Sequence, residues 1–270
     1  MDAPELRRIL TELFGTTPAP SSSAPPPTTS SPLALARELA TVVIDDVLGS
    51  AATAGDLHLA ASHLFHPSSG ILSWLSRALH YTHREYAKSR AEVVTILARV
   101  VEAAAGDLLM HIRDIKDMAL SLLRRDVSNE VKVAVFGLLT AILDARVPEL
   151  NSDVLGIESL AGCLITDLAR FASRGSQTLM AKYLEFLGIM IERFPVVLSP
   201  HVDDMLETYL DHIRANFAAS KPKFFVLAAS VDGLASLHAA FPDKLDSRAK
   251  AKAQLFKHVA SYGVVIPPSL

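Results

Sequence analysis

Apolar residues recur at helical spacing along most of the chain, and the pattern is clearest between residues 177 and 241. In the segment 177–195, charged residues fall in one narrow stripe of a 3.6-residue wheel, and apolar residues cover nearly everything else. A helix of this kind has to be covered on several sides, so the pattern predicts a buried helix. The charged stripe consists of Lys182, Glu185, Glu192 and Arg193.

The segment 199–217 has a different pattern, with one polar face. Its apolar residues recur every three or four positions, and its acidic residues lie outside that stripe, which predicts an amphipathic helix. We expect Ser199 to cap this helix and Pro200 to occupy its first turn, the positions that these residue types favour. The apolar positions are Val202, Met205, Leu206, Tyr209, Leu210, Ile213 and Phe217.

The third segment, 222–242, returns to the nearly all-apolar type and ends in a Phe-Pro pair at Phe241, as the first segment did at Phe194. Aligning the two pairs puts Leu187 over Leu234, so a helix type repeats after about one helical hairpin. This alternation of buried and amphipathic helices predicts an all-α fold, an α-solenoid of antiparallel helix pairs of the HEAT or armadillo kind.

The remaining periodicity divides the chain into three parts. Residues 1–14 predict a short N-terminal helix, and residues 15–32 form a flexible linker rich in Pro, Ser and Thr. We expect the solenoid over residues 33–270, most clearly over 89–262. Its further predicted helices cover 33–49, 56–65, 71–80, 89–106, 108–125, 128–148, 157–172 and 244–262, with a surface loop over 148–156.

Two polar residues mark predicted helix starts in the middle of the chain. Ser89 with Glu92 has the spacing of a capping box, in which each side chain bonds the other residue's backbone N–H. Ser128 is placed to cap the helix that follows it.

Composition supports a large helical core and excludes several classes of protein. Half of the 270 residues are apolar, and the formal charge of −3 is too small to predict a polyanionic partner by itself. The single cysteine, Cys163, excludes an intramolecular disulfide and is interpreted as a small buried hydrophobic residue. No apolar run approaches the ~18 residues of a membrane span, and the first residues are acidic, so we expect an intracellular protein that is neither secreted nor inserted in a membrane.

The sequence offers no constellation for catalysis. It contains no glycine-rich phosphate loop, nucleophile elbow, HExxH or CxxC motif, and no kinase catalytic motif, so we predict no enzyme activity and no cofactor. Asp56 with His58, His63 and His66 has spacings that could bring these side chains near a metal ion, but a second ligand-bearing element is missing. We interpret these histidines, and His80 and His83 further along, as ordinary surface or helix-end residues.

Basic residues outnumber acidic ones after Arg214, which makes the last third of the chain locally positive. Such residues are candidates for contacts with DNA phosphates if they share a surface. A solvated outer helix face is the alternative, and aromatic residues interleaved with the charges, as single-strand binding would require, are not evident. The candidates are Lys221, Lys223, Lys244, Arg248, Lys250, Lys252 and Lys257.

Four apolar segments, in order and with their separations, carry a resemblance to a known family. They are EVVTILARVVEAAAGDLL, EVKVAVFGLLTAIL, MAKYLEFLGIMIERFP and KFFVLAASVDGLASLHAAF. Over about residues 70–262 the chain resembles the N-terminal HEAT-like region of the DNA-dependent protein kinase catalytic subunits, which belong to the phosphatidylinositol-3-kinase-related kinases.

The resemblance implies part of the solenoid arm of a large nuclear serine/threonine kinase. In that family the arm helps to form a cradle for a double-stranded DNA end, together with the Ku heterodimer, in double-strand break repair by non-homologous end joining. The kinase domain of that family lies far C-terminal to this region, so the resemblance transfers no active-site residue to this chain. The linker 15–32 departs from the family's pattern.

A second interpretation remains open. A general HEAT or armadillo scaffold would bind a peptide or a partner helix in its concave groove, without any nucleic acid. The apolar tail 264–270 lacks the polar face of a capping repeat, so we expect contact there with the remainder of a larger solenoid or with another protein.

Overall fold

The computed structural model describes residues 8, 32–41, 64–65, 70–78, 84–104, 108–145, 154–171 and 176–246. All regular elements in these ranges are helices, and no β-strand occurs among them, which confirms the predicted all-α class. The α-helices are α1 Pro32–Thr41, α2 Ile71–Ala78, α3 Arg84–Ala104, α4 Leu109–Arg125, α5 Asn129–Asp144, α6 Val154–Phe171, α7 Gln177–Arg193, α8 Pro195–Leu198, α9 Val202–Ala218, α10 Phe224–Ala240 and α11 Pro242–Asp246. A 3-10 turn, Ser199–His201, precedes α9.

The chain forms two compact units, Met1–Leu150 and Asn151–Leu270. Hairpins of the predicted kind occur within each unit. A continuous solenoid through both units stays a prediction, as do the boundaries of the N-terminal helix, linker and solenoid.

The first unit is built around helix α3, which packs against α1 and α5, while α4 packs against α2 and α5. A buried ion pair fixes this arrangement. Arg90 of α3 donates from Nε and Nη2 to the two carboxylate oxygens of Asp126, at 2.7 and 3.1 Å, and from Nη1 to the carbonyl oxygen of Ala78 at 2.9 Å. Because Asp126 lies in the α4–α5 turn, this ion pair places the beginning of α3 beside the beginning of α5.

In the second unit, α7 packs mainly against α10 and also contacts α6 and α8, while α9 packs against α10 and α6. Helices α7 and α10 run parallel, because successive contacts advance along both of them. Gly188 lies beside Gly233, and the Ser236 hydroxyl donates to Glu192 Oε1 at 2.7 Å. Beyond both helix ends, Lys244 Nζ donates to the Ser199 carbonyl oxygen at 2.8 Å.

Two glycines lie where α7 meets α10, and they differ in the space around them. A Cβ added at Gly188 would lie 3.5 Å from the Cα of Gly233, and a Cβ added at Gly233 would lie 2.3 Å from two ring carbons of Tyr209. The Tyr209 ring therefore occupies the space that a side chain at Gly233 would need. Its hydroxyl donates to the carbonyl oxygen of Leu184 at 3.2 Å, which links α9 to α7 as well.

The two Phe-Pro pairs adopt the same backbone conformation, as expected for equivalent positions of a repeat. Phe194 has φ −130° and ψ 48°, and Phe241 has φ −137° and ψ 55°. Each residue donates its N–H to a carbonyl oxygen of the preceding helix, Phe194 to Met190 and Phe241 to Leu237. A short helix that begins with proline follows each of them, as α8 and α11.

The burial pattern confirms the two helix types in the second unit. On α7 the predicted apolar positions are buried, while Glu185, Glu192 and Arg193 are exposed and Lys182 is half-buried. On α9 the apolar stripe is buried from Val202 to Ile213, and its last member, Phe217, is half-buried. Cys163, which was interpreted as a small buried hydrophobic residue, is half-buried.

Several predicted helix ends were wrong because tertiary contacts decide them. Helix α3 begins at Arg84, so Ser89 lies inside it and is buried, and the predicted capping box does not exist. Ser199 and Pro200 lie in the 3-10 turn, and His201 is the N-cap residue of α9. Ser128 does occupy the N-cap position of α5, but its side chain makes no capping hydrogen bond there, and Asp126 accepts from its N–H at 2.8 Å.

Other helix boundaries shift by a few residues. Helix α5 ends at Asp144, before the predicted stop at residue 148, and α6 begins at Val154, within the predicted loop 148–156. In the predicted N-terminal helix only Arg8 is described; it is helical and forms an ion pair with Glu38 of α1. The described residues exclude most of three predicted segments, namely the linker 15–32, the helix 56–65 and the helix 244–262.

In the part of the chain that the structure describes, no helix is both long enough and apolar enough to span a membrane.

Candidate functional site

The structure separates the candidate DNA-contacting residues that it describes. Lys221 and Lys223 lie in the connection between α9 and α10, whereas Lys244 lies in α11 at the other end of α10. Seventeen residues of helix put about 25 Å between these two places. The other candidates, Arg248, Lys250, Lys252 and Lys257, lie outside the described residues.

Lys244 has structural partners of its own. Its ammonium group donates to the carbonyl oxygen and the hydroxyl oxygen of Ser199, at 2.8 and 3.1 Å, and lies 5.9 Å from the centre of the Phe241 ring. These contacts join the segments after α7 and after α10. Lys244 therefore contributes to the packing of the repeat, and its charge is already partly satisfied.

The connection between α9 and α10, residues 219–223, is the basic turn. One buried side chain, that of Asn216, holds it in place. The Asn216 amide nitrogen donates to the carbonyl oxygen of Lys223 at 3.0 Å, and its amide oxygen accepts from the N–H of Lys223 at 2.8 Å. The same carbonyl oxygen of Lys223 accepts from the N–H groups of Val226 and Leu227 in the first turn of α10. The backbone of Lys223 is thus fixed from both sides.

The charge of the basic turn is not balanced by nearby carboxylates. The sequence contains no Asp or Glu between Asp211 and Asp232. Arg214, the other basic residue of this stretch, forms an ion pair with Asp211 at 3.0 Å. In the described part of the chain, neither Lys221 nor Lys223 takes part in an ion pair, so both exposed ammonium groups are available to an anion.

A partly open cavity of about 220 Å³ lies beneath the basic turn. Its wall combines groups that can form hydrogen bonds, an apolar floor and the two lysines, and it contains no carboxylate. The side chains that matter for its chemistry are Gln177, His212, Asn216, Met180, Val226, Lys221 and Lys223.

His212 does not add positive charge to this cavity at neutral pH. Burial lowers the pKa of its imidazole below the ordinary value, although the neighbouring Asp211 and a hydrogen bond with the Leu168 backbone act in the opposite direction. The neutral ring contacts α6 through that hydrogen bond. The lysines are therefore the cationic groups of the cavity wall.

Two aromatic side chains beside the basic turn are exposed. Phe224 and Phe225, the first residues of α10, are 70% and 47% exposed, while the next two residues, Val226 and Leu227, are buried. These two rings follow the lysines directly and are not interleaved with them. The sequence signal was the segment KPKFF itself, but the nearly all-apolar pattern of this helix predicted a buried helix.

Nowhere in the described ranges do three or more His, Cys, Asp or Glu side chains come together as ligands of a metal ion would. Tyr183 and Tyr209 are core residues with raised pKa values. Burial is the main cause for both, and the negative charge of Asp167 raises the pKa of Tyr183 further, as that of Glu192 does for Tyr209. The histidines considered for a metal site, His58, His63, His66, His80 and His83, lie outside the described residues.

The fold and the site together define an all-α protein built from helical hairpins, in which two exposed phenylalanines follow a basic turn. A sequence model of the family described as "DNA-PKcs, N-terminal" matches residues 58–263. This chain therefore belongs to the family of DNA-PKcs N-terminal domains, as the resemblance implied.

Relatives of known identity agree with this assignment. The chain is 24% identical over 226 residues to the DNA-dependent protein kinase catalytic subunit of Xenopus laevis, and that match covers 83% of the chain. It is 23% identical over 200 residues to the protein of the same name from Mus musculus and 20% identical over 208 residues to that from Dictyostelium discoideum, covering 73% and 76% of the chain. These matches cover 5% of each relative, so the chain corresponds to a small part of a much longer protein.

Proposed function

We propose that this chain is a non-catalytic helical scaffold that forms part of the N-terminal arm of a DNA-dependent-protein-kinase-like protein. Its role is to support the binding of a double-stranded DNA end, with the Ku heterodimer, in break repair by non-homologous end joining. We also propose that the protein is nuclear and that the remainder of the kinase is one of its partners.

Membership of the DNA-PKcs N-terminal family over residues 58–263 is the observation that carries the proposal. The relatives named as kinase catalytic subunits are matched over 5% of their length, and the sequence of this chain contains none of the kinase motifs. A structural role within the arm is consistent with both facts. Catalysis then belongs to other parts of such a protein.

The basic turn supports contact with nucleic acid. Lys221 and Lys223 are exposed, the backbone of Lys223 is fixed by Asn216, and the sequence from 212 to 231 contains no carboxylate. Ammonium groups placed in this way bind phosphates without reading sequence. We propose the same role for Arg248, Lys250, Lys252 and Lys257, and a smaller role for Lys244, whose ammonium group already bonds Ser199.

Binding of blunt duplex DNA at several salt concentrations tests the proposal. The logarithm of affinity should fall linearly with the logarithm of salt concentration, and removal of one phosphate-binding group should reduce the slope by about 0.9. The double variant Lys221→Glu/Lys223→Glu should therefore bind more weakly and with a flatter slope. The variant Arg248→Glu/Lys250→Glu/Lys252→Glu should show the same two changes.

A matched control keeps the charge change and moves it elsewhere. Arg113→Glu/Arg125→Glu alters two exposed arginines of α4 and should leave more of the affinity intact. Equal reductions in affinity in both double variants would mean that only net charge matters. If the wild-type chain did not bind the duplex at any salt concentration, the proposal would be wrong, and a protein-interaction scaffold would be the better description.

A further inference from the structure

The first turn of α10 exposes flat apolar surface that the fold does not use. Phe224 is 70% exposed and Phe225 is 47% exposed, whereas most of the later apolar residues of the same helix are buried against α7 and α9. We call these two residues the aromatic pair. Adjacent exposed phenylalanines expose apolar area to water, so a ligand that covers them gains free energy.

The aromatic pair follows the basic turn directly. Lys221 and Lys223 precede Phe224, and the stretch from 212 to 231 carries no carboxylate. A ligand that covers the rings therefore meets positive charge within a few residues. The fitting occupant combines flat apolar groups with regularly spaced negative charges.

The turn is also preorganised. Asn216 bonds both the N–H and the carbonyl oxygen of Lys223, and that carbonyl oxygen also accepts from two N–H groups of the first turn of α10. Binding at Lys223 and at the phenylalanines that follow it orders side chains and not backbone, which costs less conformational entropy than ordering a loop. The cavity beside the turn adds hydrogen-bonding groups of Gln177 and Asn216 next to the apolar side chain of Met180.

We propose that the basic turn and the aromatic pair bind unpaired nucleotides at the end of a nucleic-acid duplex. Bases stack on Phe224 and Phe225, and phosphates contact Lys221 and Lys223. Aromatic faces beside a positive groove are the features by which proteins hold single strands without reading sequence. This inference rests on the proposed function and specifies the chemical form of its ligand.

Two other occupants fit the observations less well. An acidic peptide would satisfy the lysines, but carboxylate side chains offer no flat apolar face to cover the aromatic pair. An anionic membrane surface would cover the rings, but a helix that lies in a membrane interface presents a long apolar face, whereas the exposed stripe that starts at Phe224 reaches only Ala228 before the polar Asp232.

The test compares two DNA ligands of the same duplex sequence, one blunt and one with a single-stranded overhang of about five nucleotides. We expect the wild-type chain to bind the overhang ligand more tightly. Phe224→Ala/Phe225→Ala should weaken binding of the overhang ligand by about 5- to 100-fold and leave binding of the blunt ligand nearly unchanged. Phe224→Tyr/Phe225→Tyr should bind both ligands as the wild type does, because the rings remain.

A spectroscopic signal reports stacking directly. The adenine analogue 2-aminopurine, placed in the overhang, should lose fluorescence when it stacks on the wild-type chain and keep it with the alanine variant. The matched control is Met110→Ala/Val196→Ala, which removes two exposed apolar side chains from other helices and should leave both signals unchanged.

The outcomes separate this inference from the proposed function. Blunt duplex binding without any preference for the overhang would refute the inference and leave the proposed function standing. If the chain bound the overhang ligand through its single strand and had no affinity for the blunt ligand, the inference would stand and the proposed function would be wrong. If the alanine variant instead lost binding to an oligoglutamate peptide or to phosphatidylserine vesicles, with no change for DNA, the inference would be wrong.

Discussion

At the residue scale, the buried pair of Arg90 and Asp126 is the strongest single constraint on the first unit. Both side chains are almost completely buried, and the guanidinium group also bonds the carbonyl oxygen of Ala78. Removing one charge would leave the other desolvated and without its counterion. We therefore expect Asp126→Asn to lower the free energy of unfolding by about 3–5 kcal/mol, measured by urea denaturation.

Two further variants test the reason for that loss of stability. Arg90→Met combined with Asp126→Asn should cost less than the sum of the single substitutions, because no uncompensated charge then remains. Asp117→Asn changes an exposed carboxylate of α4 and should alter the free energy of unfolding by less than about 0.5 kcal/mol. Strict additivity in the double variant would contradict the explanation.

The sequence could not reveal this ion pair. Arg90 stands beside Ser89 and Glu92 in a stretch that has the spacing of a helix start, where a basic residue is expected in solvent. Helix α3 begins six residues earlier, at Arg84, and Arg90 is buried where α3 meets the α4–α5 turn. A partner 36 positions away cannot be inferred from helical periodicity, which reports only local neighbours.

At the scale of elements, the packing of α10 against its neighbours depends on Gly233 more than on Gly188. A Cβ at Gly233 would lie 2.3 Å from the Tyr209 ring, which is held by its hydrogen bond to Leu184, whereas a Cβ at Gly188 would make contacts of ordinary length. We expect Gly233→Ala to lower the free energy of unfolding by about 1–3 kcal/mol through overpacking. Thermal or urea denaturation of the variant and the wild type measures the difference.

Gly188→Ala is the matched control for this prediction. It makes the same chemical change on the facing helix, and alanine favours a helix by up to about 1 kcal/mol over glycine. The variant should be as stable as the wild type or slightly more stable. A similar loss of stability in both variants would show that the Tyr209 ring is not the reason.

Helix types were easier to predict than helix ends. The narrow charged stripe of α7 and the wider polar face of α9 follow from composition along a 3.6-residue wheel, and both are confirmed. The Phe-Pro stops were also correct, because proline opposes continuation of a helix at the residue before it. The predicted start of α9 was wrong. Ser199 lies in the 3-10 turn before the helix, and it accepts hydrogen bonds from Lys244, 45 positions away.

At the scale of the whole molecule, the sequence singled out Lys221 and Lys223 as candidates but gave no sign that the aromatic residues after them are exposed. Lys221 and Lys223 were found from charge alone, which needs no structure. Phe224 and Phe225 open a helix whose apolar residues surround it almost evenly, so the pattern gives no exposed side. The positions of α7 and α9 determine that these two side chains are exposed and that most of the later apolar residues of α10 are buried.

The same dependence on neighbours leads to a prediction for the second unit. Helix α7 is apolar on nearly all sides and packs mainly against α10, so a chain that ends at Ala219 would uncover that face. We expect such a chain to bind the hydrophobic dye ANS and to lose protection of the α7 amides from hydrogen exchange. A chain that ends at Asp246 keeps α10 and the bond between Lys244 and Ser199, and should retain that protection. Equally slow exchange of α7 in both chains would mean that α7 is stable without its neighbour, against the packing argument.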